Sequence, residues 1–220
     1  CVGGNSGLTG TDHAQIIADR YFDRCSTMLT AQYPTRLLEN PSTGAKPLFS
    51  FVVVADTHVN EIDGVSSSPC ETNRLANDRA RFVFHDIASM DPPPAFVLHL
   101  GDIVHPVPSL PSFGEAVERF KDIASPLRMP LHVVPGNHDV GDKKIEWMPA
   151  DQVCDDYLAT YREAFGPDFY SFDHEGARFI AINSLLVNSG LGDEARQREW
   201  VQEQIASAGA RRVFLFMHYP

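Results

Sequence analysis

Three times in its first 140 residues this chain runs through a short apolar stretch and breaks off into a cluster of polar side chains able to carry chemistry. Phe49 to Ala55 ends at Asp56-Thr57-His58, Ala95 to Leu100 at Gly101-Asp102, and Leu131 to Pro135 at Gly136-Asn137-His138-Asp139. Apolar runs of this length, rich in Val, Leu and Phe, read as buried strands. Between them lie segments of helical period, Asn73 to Met90 and Ser112 to Ala124. That order is a βαβ series, and it closes most simply as a parallel sheet with helices packed on its face. Each polar cluster then falls at the carboxyl end of its strand, where open parallel sheets present their ligands.

The helix assignments rest on spacing. Phe113, Ala116, Val117, Phe120 and Ala124 fall on one stripe, and Ser112 and Glu115 stand at the spacing of a capping box. Val153, Tyr157, Tyr161 and Phe165 recur every four residues before Gly166-Pro167, which stops a helix. Phe169 to Phe172 and Arg178 to Asn183 read as paired strands turning at Glu175-Gly176. A last helix, Asp193 to about Ser207 with Trp200, Val201 and Ile205 inward, leads into a strand from Arg212 to Met217. Residues 1–47 open Gly/Ser/Thr-rich and end in the turn-forming Asn40-Pro41-Ser42-Thr43-Gly44, which predicts an arm or leader ahead of one domain over 48–220.

Composition narrows the class. At 220 residues and 43% hydrophobic the chain can bury a sizeable core. Eighteen basic against 29 acidic residues give a net charge of −11, which leaves no electrostatic footprint for nucleic acid and suits divalent cations. The longest apolar run, around Leu48 to Ala55, is far below the roughly 18 residues of a membrane span, so a soluble body is expected. Cys1, Cys25, Cys70 and Cys154 form no C-x-x-C pair and read as scattered thiols. Cys1 stands where an exported lipoprotein carries its lipid, although no hydrophobic signal segment accompanies it.

Each cluster has a dull reading and a chemical one. Asp56 and His58 lie two apart, and on an extended backbone both would project to one side and grip one cation; a lone Asp-x-His is more often a turn aspartate beside a surface histidine. Gly101-Asp102 taken alone is a common turn, but its carboxylate has two oxygens and can bridge two cations. Gly136-Asn137-His138-Asp139 is far more specific. It offers a neutral oxygen, an imidazole, and a carboxylate able to hold that imidazole in one tautomer. His218, ending the strand Val213-Phe214-Leu215-Phe216-Met217, is a further candidate ligand.

The ordered set Asp56-x-His58, Gly101-Asp102, Gly136-Asn137-His138-Asp139 and His218 resembles the calcineurin-like metallophosphoesterase family, over about residues 48 to 220. The resemblance implies an α/β fold in which two mixed β-sheets form a sandwich flanked by helices. It implies Asp56 and His58 on one metal, Asp102 as the bridge, and Asn137 and His218 on the other metal. His138 becomes the catalytic residue that binds no metal, with Asp139 orienting it. Two ions of Mn, Fe or Zn suit these mixed ligands, and a metal-bound hydroxide would attack a phosphoric mono- or diester. Nucleotides, cyclic nucleotides and phosphoproteins are all open as substrates.

The family's closing Gly-His-x-His motif does not occur before Pro220, so a piece of a longer enzyme is expected, its domain cut before the last metal ligands. The rival is a catalytically degenerate member used as a protein-binding module. His105 stands where the purple acid phosphatase branch has a tyrosine ligand, and reads as a residue facing substrate or supporting the ligands. His13, His85, His132 and His174 lack partners at ligand spacing and read as surface or core residues, and His99 as packed within its strand. Tyr219, beside His218, and Asn183, at a strand end, have two readings, a side chain facing the substrate or, more often, an ordinary turn or strand-end residue. The segment Gly141 to Gly166, with Lys143, Lys144, Trp147 and Met148, follows the His138 loop and has two readings, an overhang whose lysines meet a phosphate or, no less often, a solvated charged turn.

Overall fold

Alternation along one strand explains how this chain divides its core. Phe96 and Leu98 pack into a cluster with Ala177, Phe179, Ala181 and Phe216, whereas Val97 joins a second cluster with Phe84, Val117 and Phe120. Successive side chains of a strand point to opposite faces, so one apolar strand serves two layers. The computed structural model describes residues 47–144 and 151–219. The expected arm, with His13, Cys1 and Cys25, and the residues Trp147 and Met148 lie outside them.

The first sheet holds β1 (Val52–Val54), β2 (Val97–His99) and β3 (Leu131–Val133), parallel in the order β1-β2-β3 with Val53 opposite Leu98 and Leu98 opposite His132. Its crossover helices are α1 (Ala76–Ala88) and α2 (Phe113–Ala124). The second sheet holds β4 (Tyr170–His174), β5 (Ala177–Ala181) and β6 (Arg212–Phe216). There β4 and β5 are antiparallel, and β5 and β6 are parallel. The hairpin turns at Glu175-Gly176 with φ of 45° and 75°, the positive pair that matches strand twist in a two-residue loop. The two sheets pack on an aromatic cluster. The Phe96 ring stacks on Phe51 at 5.1 Å and meets Phe179 and Phe172 edge-on at 5.0 and 5.2 Å, geometries worth about 0.5–1.5 kcal/mol each beyond area burial. Only the second sheet is mixed among the described residues.

The stripe of α2 is buried as its spacing predicts, and its Phe120 meets Phe84 of α1 at 5.8 Å and His99 at 5.6 Å. Its cap differs from expectation. Ser112 is helical in φ and ψ and makes no side-chain cap, because its hydroxyl is hydrogen-bonded to Ser67 Oγ. After the four-residue helix α3 (Asn137–Val140) comes α4 (Asp155–Phe165), which buries Leu158 and Tyr161 and ends at Gly166 with φ of 90°.

The last helix, α5 (Gly192–Ala206), corrects the sequence reading: Trp200 and Val201 are half-buried and Ile205 is 51% exposed. Its buried residue is Gln197, whose amide accepts from Asn183 N at 2.7 Å and donates to Asn183 O at 3.0 Å. A polar anchor, which periodicity of apolar residues cannot reveal, docks this helix. Among the described residues no helix is long and apolar enough to cross a membrane.

Candidate metal centre

The loops after β1 and β2 run side by side, zipped by backbone bonds from Asp56 N to Gly101 O, His58 N to Asp102 O and Val59 N to Ile103 O, each 3.0 Å. Neither loop is extended. Asp56, His58 and Asp102 have φ of 55°, 42° and 51°, so the expectation that an extended Asp-x-His would aim both side chains one way is corrected. Non-glycine residues in this region are strained and persist only where their surroundings fix them. Here Thr57 does part of the fixing: its Oγ1 donates to Ile103 O at 2.8 Å and lies 2.9 Å from His99 Nε2. His99, fully buried, accepts from Gly101 N at Nδ1 (3.3 Å), and burial above all, then the charges of His218 and His58, lowers its pKa to about 3. The middle residue of Asp-x-His thus has a structural duty that the sequence signalled only by position.

The third loop joins through glycine. Gly101 has φ of 94°, and a Cβ there would lie 2.5 Å from Gly136 N; a Cβ on Gly136 would strike Asp102 Oδ1. Two glycines therefore let the Gly-Asp and Gly-Asn-His-Asp loops touch backbone to backbone. His138 N donates to Asp102 Oδ1 at 2.9 Å, which seats α3 on that carboxylate. Asp139 does not orient His138 as expected. It is fully buried and accepts from Gly136 N (2.8 Å), Ile103 N (3.1 Å) and Val104 N (3.3 Å), tying the two loops together. Burial first, then the charge of Asp102, pushes its pKa to about 8 against those bonds. The group that orients His138 is the His105 carbonyl, 2.7 Å from Nδ1.

Around Asp102 the side chains converge. Its Oδ2 lies 3.4 Å from His58 Nε2 and 3.6 Å from His218 Nε2, and His58 Nε2 is 3.9 Å from Asp56 Oδ1. Asp56, Asp102 and His218 offer ligand atoms all within 4.8 Å of one another. Asn137, the first residue of α3, is buried, and its amide has no hydrogen-bond partner among the described residues. The His218 ring is fixed by Leu100 O at 2.7 Å from Nδ1. A carbonyl only accepts, so Nδ1 carries the hydrogen, and the ring in its neutral form turns a lone pair towards Asp102. A lone pair facing a carboxylate oxygen calls for a proton or a cation between them. Burial, partly offset by Asp102 and reinforced by the neighbouring histidines, lowers the pKa of His58 to about 4, so the ring is in its ligating form near neutrality. No lysine or arginine pairs with Asp56 or Asp102 among the described residues. The donor set fits divalent cations.

Two residues read as structural, Asn183 and His132, are packed or bonded in the interior. Asn183 is fully buried, capping Leu185 N at 3.0 Å and donating to Asp168 at 3.0 Å, and His132 stacks on Phe172 at 3.8 Å. Tyr219, beside His218, donates to Asp142 Oδ1 with Lys143 Nζ 5.2 Å from its ring centre, and burial raises its pKa. The sequence reading missed how tightly His105 is drawn in: it is 4% exposed and stacks on His138 at 5.2 Å. Its only sequence signal was its place three residues after Asp102.

Two sheets with the three loops and His218 gathered at the carboxyl ends of their strands are the frame of a metallophosphoesterase. The chain belongs to the calcineurin-like phosphoesterase family, whose model matches residues 49–220. It is similar to human serine/threonine-protein phosphatase CPPED1, 26% identical, with 78% of this chain and 56% of that protein covered. It is also similar to a probable glycerophosphodiester phosphodiesterase GpdQ of Arcobacter nitrofigilis, 24% identical, covering 77% and 56%. Among solved structures, a purple acid phosphatase from yellow lupin seeds superposes with a TM-score of 0.49 at 16% identity, over 71% of this chain and 27% of that one. The chain spans about half the length of the curated relatives it matches.

Proposed function

We propose that this protein hydrolyses phosphoric mono- or diesters through a dinuclear metal centre and a hydroxide nucleophile. Asp56 and His58 would hold one cation, Asn137 and His218 the other, and Asp102 would bridge them. Mn, Fe or Zn suits these mixed oxygen and nitrogen donors, while imidazole disfavours Mg²⁺. Bound there, the pair supplies the Lewis acidity that polarises the phosphoryl group and acidifies a water towards neutrality.

The chain's own residues do the rest. His138, with Nδ1–H bonded to the His105 carbonyl, keeps Nε2 for the reacting ester; once Nε2 has taken up a proton from solvent, the imidazolium hands that proton to the departing oxygen. Asp139 works at one remove, holding the loops that carry Asp102 and His138 together. The observation that carries the reading is Asp102, a carboxylate only 7% exposed, faced by two imidazole nitrogens from separate strands and countered by no lysine or arginine among the described residues. Relatives bearing phosphatase and phosphodiesterase names support both ester classes.

The test uses the full-length protein, stripped with a chelator and reloaded with Mn²⁺, on p-nitrophenyl phosphate and bis(p-nitrophenyl) phosphate. Turnover should vanish on stripping and return as two cations per chain are taken up. Turnover that ignores the chelator, or full recovery with one cation per chain, would refute the reading.

A further inference from the structure

Beside Asp102 lies a cluster made only of imidazoles. His58, His105 and His138 offer ring nitrogens all within 4.8 Å of one another. The His105 and His138 rings stack at 5.2 Å and 27°, and His58 stands edge-on to them at 5.6 and 4.7 Å. Two nitrogens here, His58 Nδ1 and His105 Nε2, are buried with no hydrogen-bond partner among the described residues. Buried polar atoms are nearly always satisfied, so an orphan pair in one cluster asks for a ligand.

The tautomers point the same way. His138 gives its Nδ1 hydrogen to the His105 carbonyl, and the His105 ring bonds the Cys70 backbone. With carbonyls behind them, the Nε2 atoms of both rings are left as bare lone pairs, which is how metal-ligating histidines are usually held. We infer that His58, His105 and His138 form a separate cation site, selective for Zn²⁺ over Mn²⁺, through which excess Zn²⁺ inhibits the enzyme. Tetrahedral Zn²⁺ with nitrogens at about 2.0–2.1 Å sets them about 3.3 Å apart, so nitrogens up to 4.8 Å apart close by up to about 1.5 Å. Three nitrogens and no carboxylate favour the later divalent ions strongly over Mn²⁺. Inhibition follows because the bound ion occupies the nitrogen with which His138 would serve the ester. This last step rests on the role proposed for His138 above; the cation site itself does not.

Co²⁺, which reports tetrahedral coordination by intense visible bands, separates the two ideas in the full-length protein. Asp102→Asn, which breaks the carboxylate bridge, should still bind Co²⁺ tetrahedrally, and His105→Gln should lose that signal. In Mn²⁺-loaded protein, His105→Gln should raise the half-inhibitory Zn²⁺ concentration at least about tenfold, each rate being taken relative to the variant's own uninhibited rate. Unchanged Co²⁺ bands and unchanged inhibition in His105→Gln would overturn the inference. X-ray absorption at the zinc edge of the wild-type protein, holding Mn²⁺ and one added Zn²⁺, needs no variant to fold. Three imidazole ligands support the site, and two or fewer overturn it. If Asp102→Asn keeps full Mn²⁺ content and turnover, the dinuclear reading fails while the histidine site stands.

Discussion

The backbone N–H of His138 donates to Oδ1 of Asp102 at 2.9 Å, so the residue assigned to proton donation and the carboxylate assigned to bridging are held by one hydrogen bond. Oδ2 is left to face His58 and His218. The two oxygens of one carboxylate thus divide between holding a helix start and meeting imidazole.

That division separates two substitutions. Asp102→Asn keeps an acceptor for His138 N but loses the charge, so metal content and turnover should fall together, by on the order of 100-fold in affinity. His138→Ala should retain metal while kcat falls by roughly 10²–10⁴. Metal analysis beside steady-state kinetics reads both, and full activity retained in both variants would sink the assigned roles.

Gly101→Ala should destabilise the protein by at least about 2 kcal/mol, since it adds backbone overlap with Gly136 to the strain of positive φ. Gly176 also has positive φ but nothing within 4 Å, so Gly176→Ala should cost only about 1–2 kcal/mol. Urea unfolding of the two variants measures the difference. Equal losses would show that the loops do not need their close approach.

The buried His99 predicts a stability that depends on pH. Its folded pKa of about 3 lies below the ordinary 6.5, so its contribution is present above pH 6.5 and is lost as pH falls from there through about 3. In the presence of chelator, unfolding free energy should drop between pH 6.5 and 4, and less steeply in His99→Gln. The variant should also be weaker at neutral pH by about 1–3 kcal/mol, because Gly101 N loses its acceptor. Parallel pH curves would remove His99 from the account.

The order of strands and helices, and the convergence of the polar clusters, could be read from the chain because both follow from local spacing. An apolar run that stops at Asp56 or Gly101 places those residues at a strand end whatever else happens. The hairpin at Glu175-Gly176 was legible for the same reason. What could not be read were choices made between distant residues. Ser112 gives its hydroxyl to Ser67 rather than to its own helix, and α5 docks through Gln197 rather than Ile205.

At the candidate centre, the sequence named the candidates: Asp56, His58, Asp102, Asn137, His138 and His218 each follow a strand of one of the two sheets. Only the tertiary structure decided how they are held. It gave Asp139 to three backbone amides, gave the task of orienting His138 to a carbonyl, and drew His105 into the imidazole cluster. The physical reason is that ligand identity is fixed by side-chain chemistry and strand order. Hydrogen-bond partners, by contrast, are settled by whichever donor or acceptor, often backbone and far away in sequence, reaches a buried polar atom once water has gone.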